Sequence, residues 1–205
     1  MKRRGIVKLN SEVKKLVDFL FETRILKYLP KSSLSYLRSP FPENVAEHTF
    51  YVTIIAWILA ELEKADENKI IKMALIHDLA EVRGGEKNLI NKFYSQTLNE
   101  SRIIREISKD HNLKNFGIEK LFEEFFEEKT NEAKITKDAD VLAGMLLEKE
   151  VFDSGNQKAK RWLAVSLSRL KTKGGKDLGK LLIGTDSDAW WLEIAKKYIL
   201  LTKFM

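Results

Sequence analysis

The sequence predicts an all-α fold built as one domain over residues 1–205, and three observations carry that expectation. Three prolines and ten glycines in 205 residues leave long stretches with nothing to interrupt a helix. Apolar residues recur at i, i+3, i+4 and i+7 wherever a period is legible, and no alternating strand-type run competes with them. Hydrophobic residues at 44% and charged residues at 32% are ordinary globular values, in a chain long enough to bury a sizeable core. Such a composition excludes a disordered or collagen-like chain.

Val13, Leu16, Val17 and Leu20 follow the helical period behind a cap at Asn10 or Ser11, which predicts a first helix over Ser11–Leu29. Pro30, the polar run Lys31-Ser32-Ser33, Pro40 and Pro42 then make a loop, because each proline turns its predecessor away from helical geometry. A loop this long points to function. A second helix is expected over Glu43–Lys64 and a third over Glu67–Arg83, capped by Asp66 and ended by Gly84-Gly85. Polar Asn88–Asn99 reads as irregular or weakly helical, and Glu100–Lys109 and Ile118–Glu128 as helices. Thr130 caps a helix from Asn131 to Phe152 that stops near Gly155, and Gln157–Leu170 follows. Lys173-Gly174-Gly175-Lys176 reads as a turn. Asp186-Ser187-Asp188 opens a last helix to Leu201, whose Trp190, Trp191, Ile194 and Tyr198 are suited to cover the core or a partner subunit, the core being favoured. No internal repeat or linker divides the chain.

The net charge of +6 invites a nucleic-acid reading, but residues 1–40 alone hold ten Lys or Arg against three Asp or Glu. The basic bias is therefore local, as a solvated helix face would give, and no interleaved aromatic motif for RNA accompanies it. No run of 18 apolar residues occurs, and Met1-Lys2-Arg3-Arg4-Gly5-Ile6-Val7 meets charged Lys8, so neither a membrane span nor a secretory segment is expected and the chain reads as cytoplasmic. The absence of cysteine excludes disulfides, zinc fingers, iron–sulfur clusters and thiol nucleophiles. Any metal must sit on His, Asp and Glu.

Two of the three histidines lie on consecutive predicted helices beside acidic residues. Val45, His48, Val52, Ile55 and Leu59 step by three and four, which puts His48 on an inward stripe. Ile70, Ala74, His77 and Glu81 make a second stripe, with Ile71, Leu75, Asp78 and Val82 beside it, so His77, Asp78 and Glu81 gather on the last turn of the third helix. Buried carboxylates and imidazoles without compensation are costly, and a divalent cation resolves that cost. A further ligand should come from Asp138 or Asp140. Asp140, one turn before the small Ala143 and Gly144, is only slightly favoured, and at least one of the pair is an ordinary exposed residue. His111, in the polar turn Asp110–Asn112, reads as a surface residue.

Three stretches together, Pro42-Glu43-Asn44-Val45-Ala46-Glu47-His48, Ala74-Leu75-Ile76-His77-Asp78-Leu79-Ala80-Glu81 and Glu132-Ala133-Lys134-Ile135-Thr136-Lys137-Asp138-Ala139-Asp140, resemble the HD superfamily of metal-dependent phosphohydrolases. The resemblance is closest to its 5'-deoxynucleotidases. It covers a core over residues 10–152, leaving C-terminal helices over 153–205, and it implies an HD-type helical bundle. It also implies that His48, His77, Asp78 and Asp140 hold one divalent ion per chain, whether Mn, Co, Mg, Ni, Fe or Zn, and that Glu81 is the catalytic glutamate acting on water. Where the family has Arg, two residues and Trp, this chain has Lys31, Ser32, Ser33 and Leu34; where the family has Gly-Asp, it has Gly85-Glu86. Lys31, Leu34 and Glu86 thus become the substrate-contact candidates. Leu34 offers no aromatic plate against a 2'-hydroxyl, so weak ribose discrimination is expected. The implied activity is hydrolysis of (deoxy)nucleoside 5'-monophosphates by a homodimer with no nucleic-acid or membrane partner. The alternatives are an HD enzyme acting on another phosphate ester, or a nucleic-acid-binding module with a structural ion.

Overall fold

A computed structural model describes residues 2–39, 42–94 and 99–202, with side chains described at 10–32, 35–39, 42–88, 90–94 and 99–199. Among these residues the fold is helical, without strands. Helix α1 (Lys2–Thr23) passes directly into a 3-10 segment, Arg24–Tyr28. Its predicting stripe does not enter the core: Val13, Leu16, Val17 and Leu20 are exposed, and α1 docks instead through half-buried Phe19, which tilts against the ring of His111.

The proline-bounded loop is more ordered than its composition indicates. Pro30 and Asn44 pair in an antiparallel bridge, the Lys31 amide donating to Glu43 and the Val45 amide to Leu29, at 2.8 and 2.9 Å. Within the neck so closed, Ser32–Leu37 coils into a second 3-10 segment. Lys31 is thereby fixed beside the start of helix α2 (Val45–Glu63), where Asn44 and Glu47 exchange 3.0 Å bonds in a capping box. By length and composition α2 is apolar enough to cross a bilayer. Its face of Val45, His48, Val52, Ala56 and Leu59 is nevertheless buried against α3 and α8.

Helix α3 (Glu67–Ile76), capped by Asp66, ends earlier than Arg83. The chain then tightens: Leu79 donates to Ile76 and Glu81 to Asp78, each at 3.0 Å, before α4 (Glu81–Gly84). Three-residue spacing brings i and i+3 side chains into line, so Asp78 and Glu81 share one side of this turn. Leu75, assigned to an inward stripe, is exposed. Gly85 at φ +70° turns the chain back, a conformation a side chain would disfavour.

Helices α5 (Leu89–Tyr94), α6 (Glu100–Asp110) and α7 (Ile118–Glu127) follow, with Leu79, Ile104, Ile107, Leu113 and Phe122 forming a core beneath the 77–80 turn. Helix α8 (Asn131–Asp153), capped by Thr130, is the axis of the molecule, with α2, α3, α7, α9 (Ala159–Arg169) and α10 (Lys173–Gly184) packed around it. Ile135, Ala139, Leu142 and Met145 from α8 meet Val52, Ala56, Leu59 and Ile70 in the main core.

Two expectations fail in the C-terminal part. The Lys173–Lys176 stretch is the first turn of α10, not a connecting turn. Thr172 caps it, and buried Asp138 accepts from the Lys171 amide at 2.9 Å and from the Thr172 amide and hydroxyl at 2.7 Å each. Glycine is required there because a Cβ at Gly175 would sit 2.3 Å from Asp138 Oδ2. The last helix, α11 (Ala189–Thr202), does not cover the core: Trp190, Trp191, Ile194 and Tyr198 are all exposed.

Candidate metal centre

His48 comes from the first turns of α2, His77 and Asp78 from the tight turn that follows α3, and Asp140 from the middle of α8. The structure brings all four together. One ligand atom from each of His48, His77 and Asp78 lies within 4.8 Å of the others. Asp140 Oδ1 stands 3.0 Å from His48 Nε2 and 4.0 Å from His77 Nε2. Asp138, on the other side of α8, is absorbed by the cap of α10. It is buried rather than exposed, because a carboxylate with backbone amides to accept from need not reach water.

The donor chemistry fits a divalent cation. His77 donates from Nδ1 to the Ala74 carbonyl at 2.7 Å, which in the neutral ring leaves Nε2 with its lone pair. That buried Nε2 has no hydrogen-bond partner, although Asp78 Oδ2 is 3.1 Å away. Burial alone would push the His48 imidazole down, but hydrogen bonds to Asp140 and Glu43 prevail and raise it to about 9. His48 and Asp140 are thus held together as two of the side chains that would hold a cation. Glu43, 3.3 Å from His48 Nδ1, orients the ring. Burial works against the ionised forms of Asp78 and Asp140, yet the charges and hydrogen bonds of His77, Lys31 and His48 hold both well below the ordinary carboxylate range. Neutral imidazole beside ionised carboxylate is the set that Mn, Mg, Zn and their neighbours accept.

Glu81 lies against this group with its Oε2 buried and unpartnered. Burial, then the neighbouring charges of Asp78 and Glu86, push its carboxyl up to about 8. Lys31 is buried and reaches in from the loop, its Nζ 2.7 Å from Asp78 Oδ2, 3.9 Å from Glu81 and 4.0 Å from Glu86. These charges raise its ammonium pKa against the cost of burial. Glu86 serves the loop: its Oε2 accepts from the amide of Ser32 at 2.9 Å and from the Ser32 hydroxyl. Leu34 belongs to the 3-10 segment, and its side chain lies outside the described residues.

Two clefts open from the centre. One, of about 340 Å³, runs toward α7 and holds Lys137, Lys92 and Phe125; the other, of about 680 Å³, runs along α8 and α9 past Gly144 to Glu148 and Trp162. Lys137 and Glu43 were not singled out from sequence. Lys137 stands one turn before Asp140 with its Nζ 3.7 Å from the Phe125 ring centroid, and among the described residues no carboxylate lies within 4.0 Å of it. Burial depresses its ammonium pKa, an environment that favours an arriving anion. Its spacing of three from Asp140 was the available signal. His111 is corrected: it is buried, with Nδ1 3.0 Å from the Lys15 carbonyl and Nε2 against Glu22, residues of α1 that lie 96 and 89 positions earlier in sequence.

The family model described as HD domain matches residues 23–181. A 5'-deoxynucleotidase of Vibrio parahaemolyticus is 28% identical over 151 residues, 66% of this chain and 78% of that protein. A conserved hypothetical protein of Pyrococcus furiosus, of known structure, superposes with a TM-score of 0.67 at 28% identity, over 81% of this chain and 96% of its own. A predicted metal-dependent phosphohydrolase of Magnetospirillum magnetotacticum shares the fold at 20% identity and a TM-score of 0.63, over 85% and 92% of the two chains.

Proposed function

The chain belongs to the HD-domain family, and from that premise we propose that it is a metal-dependent phosphomonoesterase of the 5'-nucleotidase type, releasing phosphate from (deoxy)nucleoside 5'-monophosphates. The observation that carries this reading is the bare, buried His77 Nε2 facing His48, Asp78 and Asp140, with the unpartnered Oε2 of Glu81 beside them. His48, His77, Asp78 and Asp140 would hold one divalent ion per chain, with Glu43 orienting His48. Such an ion supplies Lewis acidity toward a phosphoryl oxygen and a more acidic water. Glu81, its Oε2 buried and unpartnered beside these side chains, would take the proton of the attacking water. Lys31 and Lys137 flank the carboxylates with the positive charge that a phosphate needs to approach them. Glu86 acts through the loop, holding Ser32 and with it the neighbouring Lys31.

The whole chain forms one domain in this reading, acting in the cytoplasm without a nucleic-acid or membrane partner. A homodimer is supported by the exposed apolar face of α2, where Phe50, Ile54, Trp57, Ile58 and Leu62 lie uncovered among the described residues. The test is a phosphate-release screen over nucleoside monophosphates and other phosphate esters, with several divalent ions in turn. Multiple turnover that chelation abolishes and one ion restores is expected. Release from other esters alone would replace the substrate class, and RNA binding without any release would overturn the enzymatic reading.

A further inference from the structure

The metal centre stands between two spaces that share a wall. Asp78, Glu81, Lys87, Lys92 and Asp140 line both clefts, whereas Lys31 opens only onto the larger and Lys137 only onto the smaller. At about 340 Å³ the smaller cleft lies near the low end of ligand sites, which run from about 300 to 1,000 Å³. Among the described residues, none of the 3-10 segment Ser32–Leu37 lines it. It is a second space beside the chemistry, with a cation of its own.

The charges of this cleft suit an oxyanion. The Lys137 Nζ lies 3.7 Å from the Phe125 ring centroid, and that ring holds the ammonium without accepting a conventional hydrogen bond, so its N–H groups stay available. Lys92, on α5, and Lys87, just ahead of that helix, bring two more ammonium groups once Gly85 has turned the chain back. Among the described residues none of the three has a carboxylate within 4.0 Å. The acids of the cleft are Asp78 and Asp140, which a divalent ion would balance, together with Glu81 and Glu100. Three ammonium groups then face two remaining carboxylates.

We propose that the smaller cleft is a product site, in which Lys137, Lys92 and Lys87 hold inorganic phosphate after hydrolysis. The inference rests on the phosphomonoesterase reading above and adds to it a separate place for one product. Hydrolysis bonds the water oxygen to phosphorus, breaks the ester bond and leaves a proton on the ester oxygen, so the alcohol departs neutral at that oxygen. The phosphate keeps the charge that lysines attract. In an in-line displacement the phosphorus moves away from the oxygen that leaves and toward the one that arrives. With the organic part of the ester on the Lys31 side, that motion carries the phosphoryl group away from the larger cleft. Inorganic phosphate is thereby an inhibitor held by residues that the ester does not need in full.

The test compares inorganic phosphate with an ester on the metal-loaded enzyme. Titration calorimetry gives the Kd for inorganic phosphate, and steady-state kinetics on dAMP, or on whichever ester is turned over, gives KM. Lys92→Ala should raise the phosphate Kd about tenfold, the scale of a hydrogen bond to a charged group, and at least about three times more than it raises KM. Lys137→Met, which keeps an apolar stem against Phe125, should weaken phosphate binding at least as much with metal content retained. Equal factors on Kd and KM in Lys92→Ala put phosphate at the substrate's own position and overturn the product site. A phosphate Kd unchanged in either variant also overturns it, and the exposed Lys92 decides alone if Lys137→Met fails to fold. Absence of turnover on every ester, whatever the phosphate Kd, overturns the phosphomonoesterase reading itself, which the other outcomes leave standing.

Discussion

The molecule contains two clusters in which histidine meets carboxylates and a cation, and they differ in one respect that separates holding a fold from doing chemistry. Around His111, every contact closes. Arg83 donates to Glu22 through Nε at 2.5 Å and Nη2 at 3.1 Å and to Asp110 at 2.9 Å, while His111 is held between Glu22 and the Lys15 carbonyl. Around His77 the same residue types leave His77 Nε2 and Glu81 Oε2 buried without partners. Composition does not distinguish the two clusters; the balance of donors and acceptors does.

Substitution should break this comparison cleanly. The largest effect is expected for His77→Ala, which should lose the bound ion in elemental analysis and abolish turnover, whereas His111→Gln should keep both. Loss of metal from His111→Gln would erase the distinction. Next comes Glu81→Gln, expected to lower kcat by roughly 10²- to 10⁴-fold with metal retained; equal metal loss would make Glu81 a ligand. Lys31→Ala and Lys137→Ala should each lower kcat/KM by about tenfold, equivalent to about 1.4 kcal/mol, at unchanged metal content. Steady-state kinetics on one nucleotide decides this, and an unchanged value in either variant removes that lysine from the phosphate site.

The smallest effect belongs to the closed cluster. Glu22→Gln should cost about 1–2 kcal/mol in denaturant unfolding and leave kcat untouched. The Arg83 hydrogen bond, opposed by burial and aided by His111, holds the Glu22 carboxyl below its usual range. A carboxyl lowered on folding contributes stability above its unfolded pKa of about 4.5 that is lost as the pH falls through the folded value. Wild type should therefore lose more stability than Glu22→Gln on acidification below about pH 4.5. Parallel acid profiles would show the pairing to be energetically silent.

What the sequence revealed follows from the range of the forces involved. The inward stripe of α2 and the caps at Asp66 and Thr130 are local and were legible, as was the neighbourhood of His48, His77 and Asp78 through helical spacing. The choice between Asp138 and Asp140 was not settled by periodicity, since both are inward, one toward α10 and one toward the metal centre. The start of α10 was illegible because its Gly-rich turn is stabilised by a carboxylate 34 residues away. His111 looked solvated because its partners come from α1. Lys137 and Glu148 were passed over because such residues are ordinarily solvated, and only the clefts reveal that these two are not. The aromatic residues of α11 misled in the opposite direction, their apolar character giving no sign of which surface they face.

Asp138 also bears on how the protein is made. During synthesis α8 leaves the ribosome well before the segment that satisfies this carboxylate, and the 34 residues from Asp138 to Thr172 take about two to seven seconds to add at roughly 5–20 residues per second. Throughout that interval the helix bearing Asp140 carries on its opposite side a charge whose amide donors do not yet exist. Until Lys171 and Thr172 emerge, Asp138 lacks the donors that it accepts from in the folded protein.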